Sequence, residues 1–386
     1  MRALFHDPAS DTWLLFRRPL RVLVVGPEAL ASIPQVLEEV DHEIQRSHRY
    51  AAGWLAYEAA PAFDPVLPVY RPSGPLLCLG VFHPPEHVSL PPPRRIEPPS
   101  LTPELDEETY LFHLSRIREA LEAGITYQVN YTFRLEGRSH ADPLPLFLSL
   151  LDRTGPSYSA YVEAGDHAVL SFSPELFFRT HGDIVECEPM KGTAPRGATP
   201  EEDTHQAHLL FSSEKNRAEN LMIVDMIRND LGKIATIGTV EVPHLFVIRS
   251  IPYAHQMVST VRARTSASIP RLLEALFPCA SITGAPKVST MGIIAHEEHS
   301  PRGVYTGTVG FWSRKTALFN VAIRTLVKEG PRWYYGTGGG IVWDSDPGEE
   351  YLEALLKVGA LGRPLAPPAG PLHAPKEEPP TVFSSP

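Results

Sequence analysis

The sequence predicts an α+β fold with a largely antiparallel sheet. Beyond residue 105, strand-like and helix-like segments follow one another in a non-repeating order, whereas a doubly wound fold would alternate them regularly. The chain has 386 residues, of which 43% are apolar, so it can bury a substantial core in one large domain or in two ordinary ones.

The composition argues against several classes of function. The 45 acidic and 35 basic residues give a formal charge of -10 without an extended Lys/Arg block, so we expect no nucleic-acid partner. No segment approaches the roughly 20 apolar residues of a membrane span, and the first residues lack the apolar run of a signal peptide. We therefore expect no membrane partner and a cytoplasmic location. Cys78, Cys187 and Cys279 show no CxxC spacing and are predicted to be ordinary thiols.

Residues 1–83 are predicted to form an N-terminal, β-rich portion of the fold. Short apolar segments at 22–25 and 76–82 are typical of strands, and residues 33–45 are predicted to form a helix. Residues 84–104 are dense in proline. Because proline restricts φ and lacks an amide donor, this stretch is predicted to be an extended surface connection.

Residues 105–362 are predicted to form the domain that carries the candidate functional residues. Its first helix is expected over residues 106–123, closed by Gly124, and residues 127–135 alternate like a strand. The remaining residues, 363–386, are rich in Pro, Ala and Ser and are predicted to be disordered.

Two later helices carry carboxylates in positions that could serve chemistry. Ser213 is a plausible N-cap for a helix that ends at Gly232, and Glu219 stands beside its predicted apolar stripe of Leu221, Val224 and Ile227. Because glutamate is usually exposed, a solvated helix carboxylate remains the alternative for Glu219.

The second helix begins at Asp346-Pro347, where Asp caps the helix and Pro occupies its first turn. Glu350, Glu353 and Lys357 follow at i, i+3 and i+7 and so share one face. Two carboxylates on one face suit Mg²⁺, although an exposed, salt-bridged face is the alternative. Leu352, Leu355 and Leu356 are placed on another face.

Two further segments have patterns that bear on anion or metal binding. The glycine-rich run at residues 336–340 would let backbone N–H groups approach an anion, but it matches neither a dinucleotide-binding fingerprint nor a P-loop. His296-Glu297-Glu298-His299 spaces its histidines at i and i+3 rather than the i and i+4 of a zinc protease, so it is interpreted as an ordinary polar surface.

Several segments, in this order and spacing, carry a family resemblance. They are Tyr127-Gln128-Val129-Asn130, Ser173-Pro174-Glu175, Lys191-Gly192-Thr193 with Pro195-Arg196-Gly197, Arg217-Ala218-Glu219-Asn220, Thr283-Gly284-Ala285-Pro286-Lys287, residues 305–310, Ile323-Arg324, and the glycine run leading to Glu350 and Glu353. Together they resemble the chorismate-using enzymes, which include anthranilate, isochorismate, salicylate and aminodeoxychorismate synthases. The resemblance covers roughly residues 106–361, with a weaker match at residues 53–58.

The resemblance implies two large, mainly antiparallel β-sheets packed together and flanked by helices. It also implies an activity, because the residue before Gly-Thr separates family members: anthranilate synthases commonly carry Ala, and aminodeoxychorismate enzymes carry Lys. Lys191 at this position implies that chorismate and ammonia are converted to 4-amino-4-deoxychorismate for 4-aminobenzoate and folate biosynthesis. The ammonia would come from a glutamine amidotransferase partner.

The resemblance further implies roles for individual residues. Lys191 would be the nucleophile, or else only a charge partner, Glu175 the general acid, and His255 a group near the leaving hydroxyl. Glu219 and Glu353 would bind Mg²⁺, with Glu350 as a second possibility. The implied substrate-binding residues are Thr193, Ser281, Tyr305, Arg324, Gly338, Gly339, Gly340 and Lys357.

Two departures and two alternatives remain. Cys279-Ala280-Ser281 stands where the family usually has a Gly before Ser or Thr, and Glu188 stands where a neutral or basic residue is common. The first alternative is an anthranilate or isochorismate-type enzyme with an atypical lysine. The second is a non-catalytic regulator that binds chorismate.

Overall fold

The structure is a computed structural model that describes residues 1–252 and 254–359. It confirms the α+β prediction, since helices flank two ten-stranded sheets whose described pairings are antiparallel. The segment predicted to be disordered, residues 363–386, lies outside the described residues.

The strands, in chain order, are β1 (Arg2–Asp7), β2 (Thr12–Phe16), β3 (Arg21–Val25), β4 (Tyr50–Leu55), β5 (Leu77–Phe82), β6 (Glu86–Val88), β7 (Thr102–Pro103), β8 (Gln128–Arg138), β9 (Ala160–Ala164), β10 (His167–Ser171), β11 (Leu176–His181), β12 (Ile184–Glu188), β13 (Met190–Pro195), β14 (Glu241–Ile251), β15 (Ala254–Arg264), β16 (Gly284–Ala285), β17 (Thr308–Ser313), β18 (Thr316–Val321), β19 (Thr325–Glu329) and β20 (Arg332–Ile341). The first sheet has the order β16-β8-β20-β19-β10-β9-β1-β2-β6, with β7 also paired to β8. The second has the order β13-β15-β12-β11-β18-β17-β4-β5-β3, with β14 also paired to β15.

The helices are α1 (Ile33–Arg46), α2 (Glu107–Glu122), α3 (Pro143–Thr154), α4 (Pro200–Ser212), α5 (Glu214–Gly232), α6 (Ile269–Leu276), α7 (Lys287–Glu297) and α8 (Pro347–Val358), with 3-10 turns at Pro27–Ser32, Tyr57–Ala62 and Ala280–Ile282. Among the described residues, none of these helices is both long and apolar enough to cross a membrane.

The two sheets pack face to face through an apolar layer. Phe5 of the first sheet meets Phe311 of the second with ring centroids 5.2 Å apart. The apolar faces of α2, α3 and α8 cover the outer side of the first sheet. Those of α1, α5 and α6 cover the outer side of the second. Each sheet is thus buried on both faces, which explains why many of its strands are apolar along their whole length.

The N-terminal residues contribute to both sheets. Strands β1 and β2 join the first sheet, and β3, β4 and β5 join the second. The proline-dense connection is mostly without regular structure, as expected, but it adds the short strands β6 and β7. Both are peripheral pairings, where a proline costs little because few amide donors are needed. The division into separate domains stays a prediction.

Three predicted helix starts are confirmed by their capping bonds. Asp106 accepts from the amide of Thr109 at 2.9 Å, Ser213 from that of Asn216 at 3.3 Å, and Asp346 from that of Glu349 at 3.0 Å. The α5 and α8 carboxylates are therefore on helices that begin where the cap signals place them.

The predicted apolar faces were less accurate. Leu221 on α5 is 45% exposed, although Val224 and Ile227 are buried as expected. On α8, Leu352 and Leu356 are 59% and 77% exposed. Tyr351, Ala354 and Val358 form the buried face of α8, because the neighbouring layer, rather than the most apolar side chains, decides which side of a helix is covered.

The interpretation of residues 296–299 as a polar surface is wrong for its two carboxylates. Glu297 and Glu298 are both 5% exposed. Glu297 accepts from Nδ1 of His113, and Glu298 pairs with Arg302. Burial of a charged side chain requires a partner. Arg302 lies only four residues after Glu298, whereas His113 comes from α2, which the sequence pattern could not connect to Glu297.

Candidate active site

A cavity of about 350 Å³ opens beside the first helical turns of α5 and along α8. This volume lies in the range of small-molecule sites, roughly 300–1000 Å³. All the predicted site residues except His255 line it. These residues are Glu175, Lys191, Thr193, Glu219, Ser281, Tyr305, Arg324, Gly338, Gly339, Gly340, Glu350, Glu353 and Lys357.

The glycine run forms one wall as part of strand β20. Over residues 336–340 this strand is paired with β8, whereas its pairing with β19 ends at Tyr335. Every second backbone group of the run is therefore left without a strand partner on the open side. The carbonyl of Gly338 uses this freedom to accept from Nζ of Lys357 at 2.8 Å.

Lys191 reaches this wall from the start of β13. A Cβ atom at Gly340 would lie only 2.9 Å from Nζ of Lys191, so the absence of a side chain makes room for the lysine. Burial lowers the pKa of Lys191, while the negative charges of Glu219 and Glu175 oppose the shift. Desolvation thus favours the neutral amine of Lys191, whereas the nearby carboxylates favour its charged ammonium form.

Glu175 follows directly on Ser173-Pro174 and is 2% exposed. Burial raises the pKa of Glu175 to about 7, although a hydrogen bond from the Ser281 side chain, the charge of Lys191 and the Met190 amide act in the other direction. Within the described part of the chain, its Oε1 atom has no hydrogen-bond partner. A carboxyl group in this state can hold a proton near neutral pH and deliver it into the cavity.

Three glutamates reach the cavity from two helices. Glu219 comes from α5, and Glu350 and Glu353 come from α8, as their i, i+3 spacing predicted. Burial raises the pKa of Glu219 and Glu350. For Glu353, burial acts in the same direction but is outweighed by Lys357, so its pKa is lowered.

Glu353 and Glu350 each have a polar partner within the protein. Lys357 Nζ lies 2.8 Å from Glu353 Oε1, and Ser345 Oγ donates to Glu350 Oε1 at 2.7 Å. Across residues 1–252 and 254–359, no three His, Cys, Asp or Glu side chains converge closely enough to hold a metal ion. Carboxylate oxygens are nevertheless the donor type that Mg²⁺ takes, and three of them face one cavity.

Arg324 and Tyr305 approach the cavity with unusual local geometry. Arg324 has φ of 49°, a left-handed conformation that is uncommon for a residue with a Cβ atom. Tyr305 packs so closely on β20 that a Cβ atom at Gly336 would lie 2.1 Å from its ring. Both side chains are placed by tertiary contacts, and strained backbone of this kind is typical of functional sites.

His255 does not line the cavity, contrary to the role expected beside the leaving hydroxyl. It is 1% exposed, and both of its ring nitrogens have partners: Nδ1 lies 2.8 Å from Ser250 Oγ and Nε2 lies 3.0 Å from Asp203 Oδ1. Asp203 also binds Arg196 through two nitrogens. His255 thus ties α4 to the strands around β13.

Ten cavity residues were not predicted as site residues, and three of them, Lys215, Asn216 and Asn130, carry a charged or an amide side chain. Lys215 and Asn216 lie four and three positions before Glu219 on α5, and Asn130 lies on β8. The helical spacing from Glu219 was a usable signal for the first two, since i, i+3 and i+4 positions share a face. Asn216 also packs against Gly192, whose φ of 93° favours glycine.

Comparison with known proteins shows the family of this chain. A family model described as chorismate binding enzyme matches residues 2–363. The chain is 42% identical over 278 residues to an aminodeoxychorismate synthase of Streptomyces pristinaespiralis, covering 69% of this chain and 38% of that protein. It is 40% identical over 260 residues to aminodeoxychorismate synthase component 1 of Klebsiella aerogenes, covering 67% and 58%.

Two further likenesses come from anthranilate synthases. A component 1 of Haloarcula marismortui is 37% identical over 273 residues, covering 70% of this chain and 56% of that protein. The crystal structure of anthranilate synthase component I from Streptococcus pneumoniae superposes with a TM-score of 0.80 at 22% identity, covering 91% of this chain and 92% of that chain, which shows the shared fold.

The alignments to the three curated relatives span 38% to 58% of those proteins' lengths. The family model, in contrast, covers nearly the whole of this chain and includes every residue of the cavity. The chain therefore belongs to the chorismate binding enzyme family.

Proposed function

We propose that this protein aminates chorismate to 4-amino-4-deoxychorismate, as the chorismate-binding component of an aminodeoxychorismate synthase. The observation that carries the proposal is the position of Lys191, which lies against Gly340 in the same cavity as Glu175 and Glu219. Relatives that are 40% and 42% identical and bear the name aminodeoxychorismate synthase support it.

The charges of the cavity suit a small dianion. Chorismate carries two carboxylates, and Lys215, Arg324 and Lys357 supply positive charge along the cavity wall. An arginine can bind a carboxylate through two parallel hydrogen bonds, whereas lysine acts as a point charge. We assign these side chains, Tyr305, Thr193, Ser281 and the backbone of the glycine run to substrate binding.

Lys191 and Glu175 would act together in the first half of the reaction. The neutral amine of Lys191 forms a bond to C2, the ring carbon next to the carboxylated one, both conjugated ring double bonds shift, and the C4 hydroxyl leaves. Glu175 donates its proton to that hydroxyl, which departs as water. Burial supports both protonation states, because it disfavours the charged lysine and the charged glutamate.

Ammonia completes the reaction in the second half. Its nitrogen bonds to C4, both double bonds shift back, and the bond between the ring and Lys191 breaks, so the amine of Lys191 is regenerated. One proton of the added nitrogen returns to Glu175. The net change is chorismate plus ammonia to 4-amino-4-deoxychorismate plus water. The product still carries its enolpyruvyl group, so formation of 4-aminobenzoate for folate requires a separate elimination step.

We also propose that Glu219 and Glu353 hold Mg²⁺, with Glu350 as a second possibility. The support is that all three carboxylates face the substrate cavity. A bound Mg²⁺ would neutralise a substrate carboxylate and hold the ring in place. Glu353 is also the partner of Lys357, so metal and lysine compete for one carboxylate.

The source of ammonia is proposed to be a glutamine amidotransferase in a heterodimer with this chain, in the cytoplasm. The name component 1 borne by the Klebsiella relative supports a second component.

Two other functions make different predictions. The Haloarcula relative favours anthranilate synthesis as the second candidate, in which pyruvate would be released with an aromatic product. A non-catalytic regulator, the remaining alternative, would bind chorismate without turning it over.

The deciding experiment incubates the purified protein with chorismate, Mg²⁺ and an ammonium salt and identifies the products by mass spectrometry. We expect 4-amino-4-deoxychorismate without pyruvate. Anthranilate with pyruvate would support the second candidate, and binding without turnover would support a regulator.

A further inference from the structure

Arg302 is a buried charge behind the cavity wall that has no part in the reaction proposed above. It is 6% exposed and does not line the cavity. Its guanidinium donates from Nη2 to the carbonyl of Asn130 at 2.6 Å and from Nη1 to the carbonyl of Ile282 at 2.8 Å. Asn130 and Ile282 both line the cavity, and they belong to segments that are far apart in the chain.

The third wall segment anchored here is the one that carries Tyr305. Nη1 of Arg302 lies 3.3 Å from Oγ1 of Thr306, which in turn donates to the carbonyl of Tyr305 at 2.7 Å. Thr306 has φ of 59°, and a β-branched residue adopts this conformation only when its surroundings hold it there. The turn that presents Tyr305 is thus maintained by contacts outside the cavity.

Two buried carboxylates hold Arg302 itself in place. Glu298 binds its Nε at 2.9 Å and its Nη2 at 2.7 Å, and the guanidinium lies 4.5 Å from the ring centroid of Tyr57. Glu58 accepts from the amides of Arg302 and Gly303 at 2.6 and 2.9 Å. These contacts hold Arg302 in place in addition to its contacts with the cavity wall.

We propose that Arg302 is a positioning residue that holds Asn130, Ile282 and Tyr305 in the arrangement that binds chorismate. The five N–H donors of a guanidinium lie in one rigid plane, so a single side chain can tie the turn that carries Tyr305 to Asn130 and Ile282, whose segments already meet through the pairing of β16 with β8. The identity of the ligand as chorismate rests on the proposed function, whereas the effect of Arg302 on the cavity wall does not.

The competing explanation is that Arg302 only neutralises Glu298. A buried ion pair often contributes little net stability, while removing one partner leaves an uncompensated charge. The informative variant therefore removes both charges: Arg302→Met with Glu298→Gln. Arg302→Lys is the second variant, because it keeps the charge for Glu298 but loses the planar fork that reaches two carbonyls.

The experiment measures three quantities for each variant: the thermal midpoint, the amide hydrogen exchange of residues 280–284 and 303–306 without substrate, and KM and kcat for chorismate. For both variants we expect faster exchange in the two segments and a KM raised by about tenfold or more, with a smaller change in kcat. The matched control is Arg116→Met with Glu297→Gln, which removes the neighbouring ion pair between α2 and α7 and should leave exchange and KM unchanged.

Wild-type exchange and KM in both variants would overturn the proposal. Recovery of KM in the double variant alone would also overturn it, because charge compensation would then be sufficient. If the wild-type protein fails to aminate chorismate, the proposed function fails, but the exchange measurement still decides whether Arg302 holds the wall.

Discussion

Glu175 and Glu58 are two carboxyl groups whose pKa values are raised to a similar extent but whose surroundings differ. Burial raises the pKa of each to about 7. Glu58 accepts two backbone N–H groups with its two oxygens, whereas Glu175 leaves Oε1 without a partner and lines the cavity. A raised pKa alone therefore does not identify a catalytic acid; an unsatisfied oxygen that faces a binding site does.

The same contrast extends to the groups around them. Glu58, Glu298 and Arg302 form a cluster in which each charge meets donors or acceptors of fixed geometry. In the cavity, burial disfavours the charged forms of both Lys191 and Glu175. Such an arrangement costs stability, and it is useful where protons and charges must move.

The largest expected effect is at Lys191. Lys191→Ala removes the proposed nucleophile and should lower amination by roughly three orders of magnitude with the fold intact. Lys315→Ala, at an exposed position, is the control. Mass spectrometry after incubation with chorismate but no ammonia should show an adduct on Lys191 in the wild type; near-normal turnover of Lys191→Ala would exclude the nucleophilic role.

Glu175→Gln is expected to lower kcat by roughly two to three orders of magnitude, because Gln cannot donate the proton. In the wild type, activity should decline as the pH rises above about 7, where Glu175 loses that proton. A pH–rate profile checks the second expectation, and an unchanged profile in Glu175→Gln would show that another group is responsible.

The stability of Glu175→Gln tests the comparison between Glu175 and Glu58. Since the folded-state pKa of Glu175 lies above its ordinary value of 4.5, the folded state binds the extra proton and loses stability as the pH rises from about 4.5 to 7. Glu175→Gln should therefore be about 1–3 kcal/mol more stable than the wild type near pH 8. Glu58→Gln should instead be less stable by about 1–3 kcal/mol, because its NH₂ group would face an amide N–H. Denaturant unfolding measures both, and equal signs would contradict the comparison.

Glu353→Gln tests the proposed metal site. We expect Mg²⁺ to be needed at concentrations about tenfold to a hundredfold higher, because a neutral amide is a weaker ligand than a carboxylate. Mn²⁺ binding followed by electron paramagnetic resonance gives a readout that does not depend on turnover. Glu349→Gln, on the exposed side of the same helix, is the control; equal metal affinities in the two variants would remove Glu353 from the site.

Gly340→Ala should have the smallest effect on the rate. Its methyl group would come within 2.9 Å of Lys191 Nζ and 2.7 Å of Gln128 Nε2, so the lysine must shift. We expect about a tenfold loss of kcat with little change in stability. Gly232→Ala, which meets nothing within 4 Å, should leave the rate unchanged; similar rates in both variants would mean that Lys191 does not depend on this wall.

The sequence by itself determined most of the local structure and the composition of the site. Capping residues placed the starts of α2, α5 and α8, because a cap bond joins residues only two or three positions apart. Helical spacing placed Glu350, Glu353 and Lys357 on one face for the same reason. The motifs taken together indicated the family, the lysine at position 191 indicated the activity within it, and the structure brings residues from most of these motifs to one cavity.

Tertiary structure alone decided which of these groups meet and which are satisfied. His255 was expected at the reacting centre, but Asp203 and Ser250 take both of its nitrogens. The burial of the Glu298–Arg302 pair, and the support of that arginine by Glu58, could not be read from the sequence. Contacts between segments more than a hundred residues apart, such as that of Arg302 with Asn130, depend on how the two sheets and their helices pack, and no local spacing records that packing.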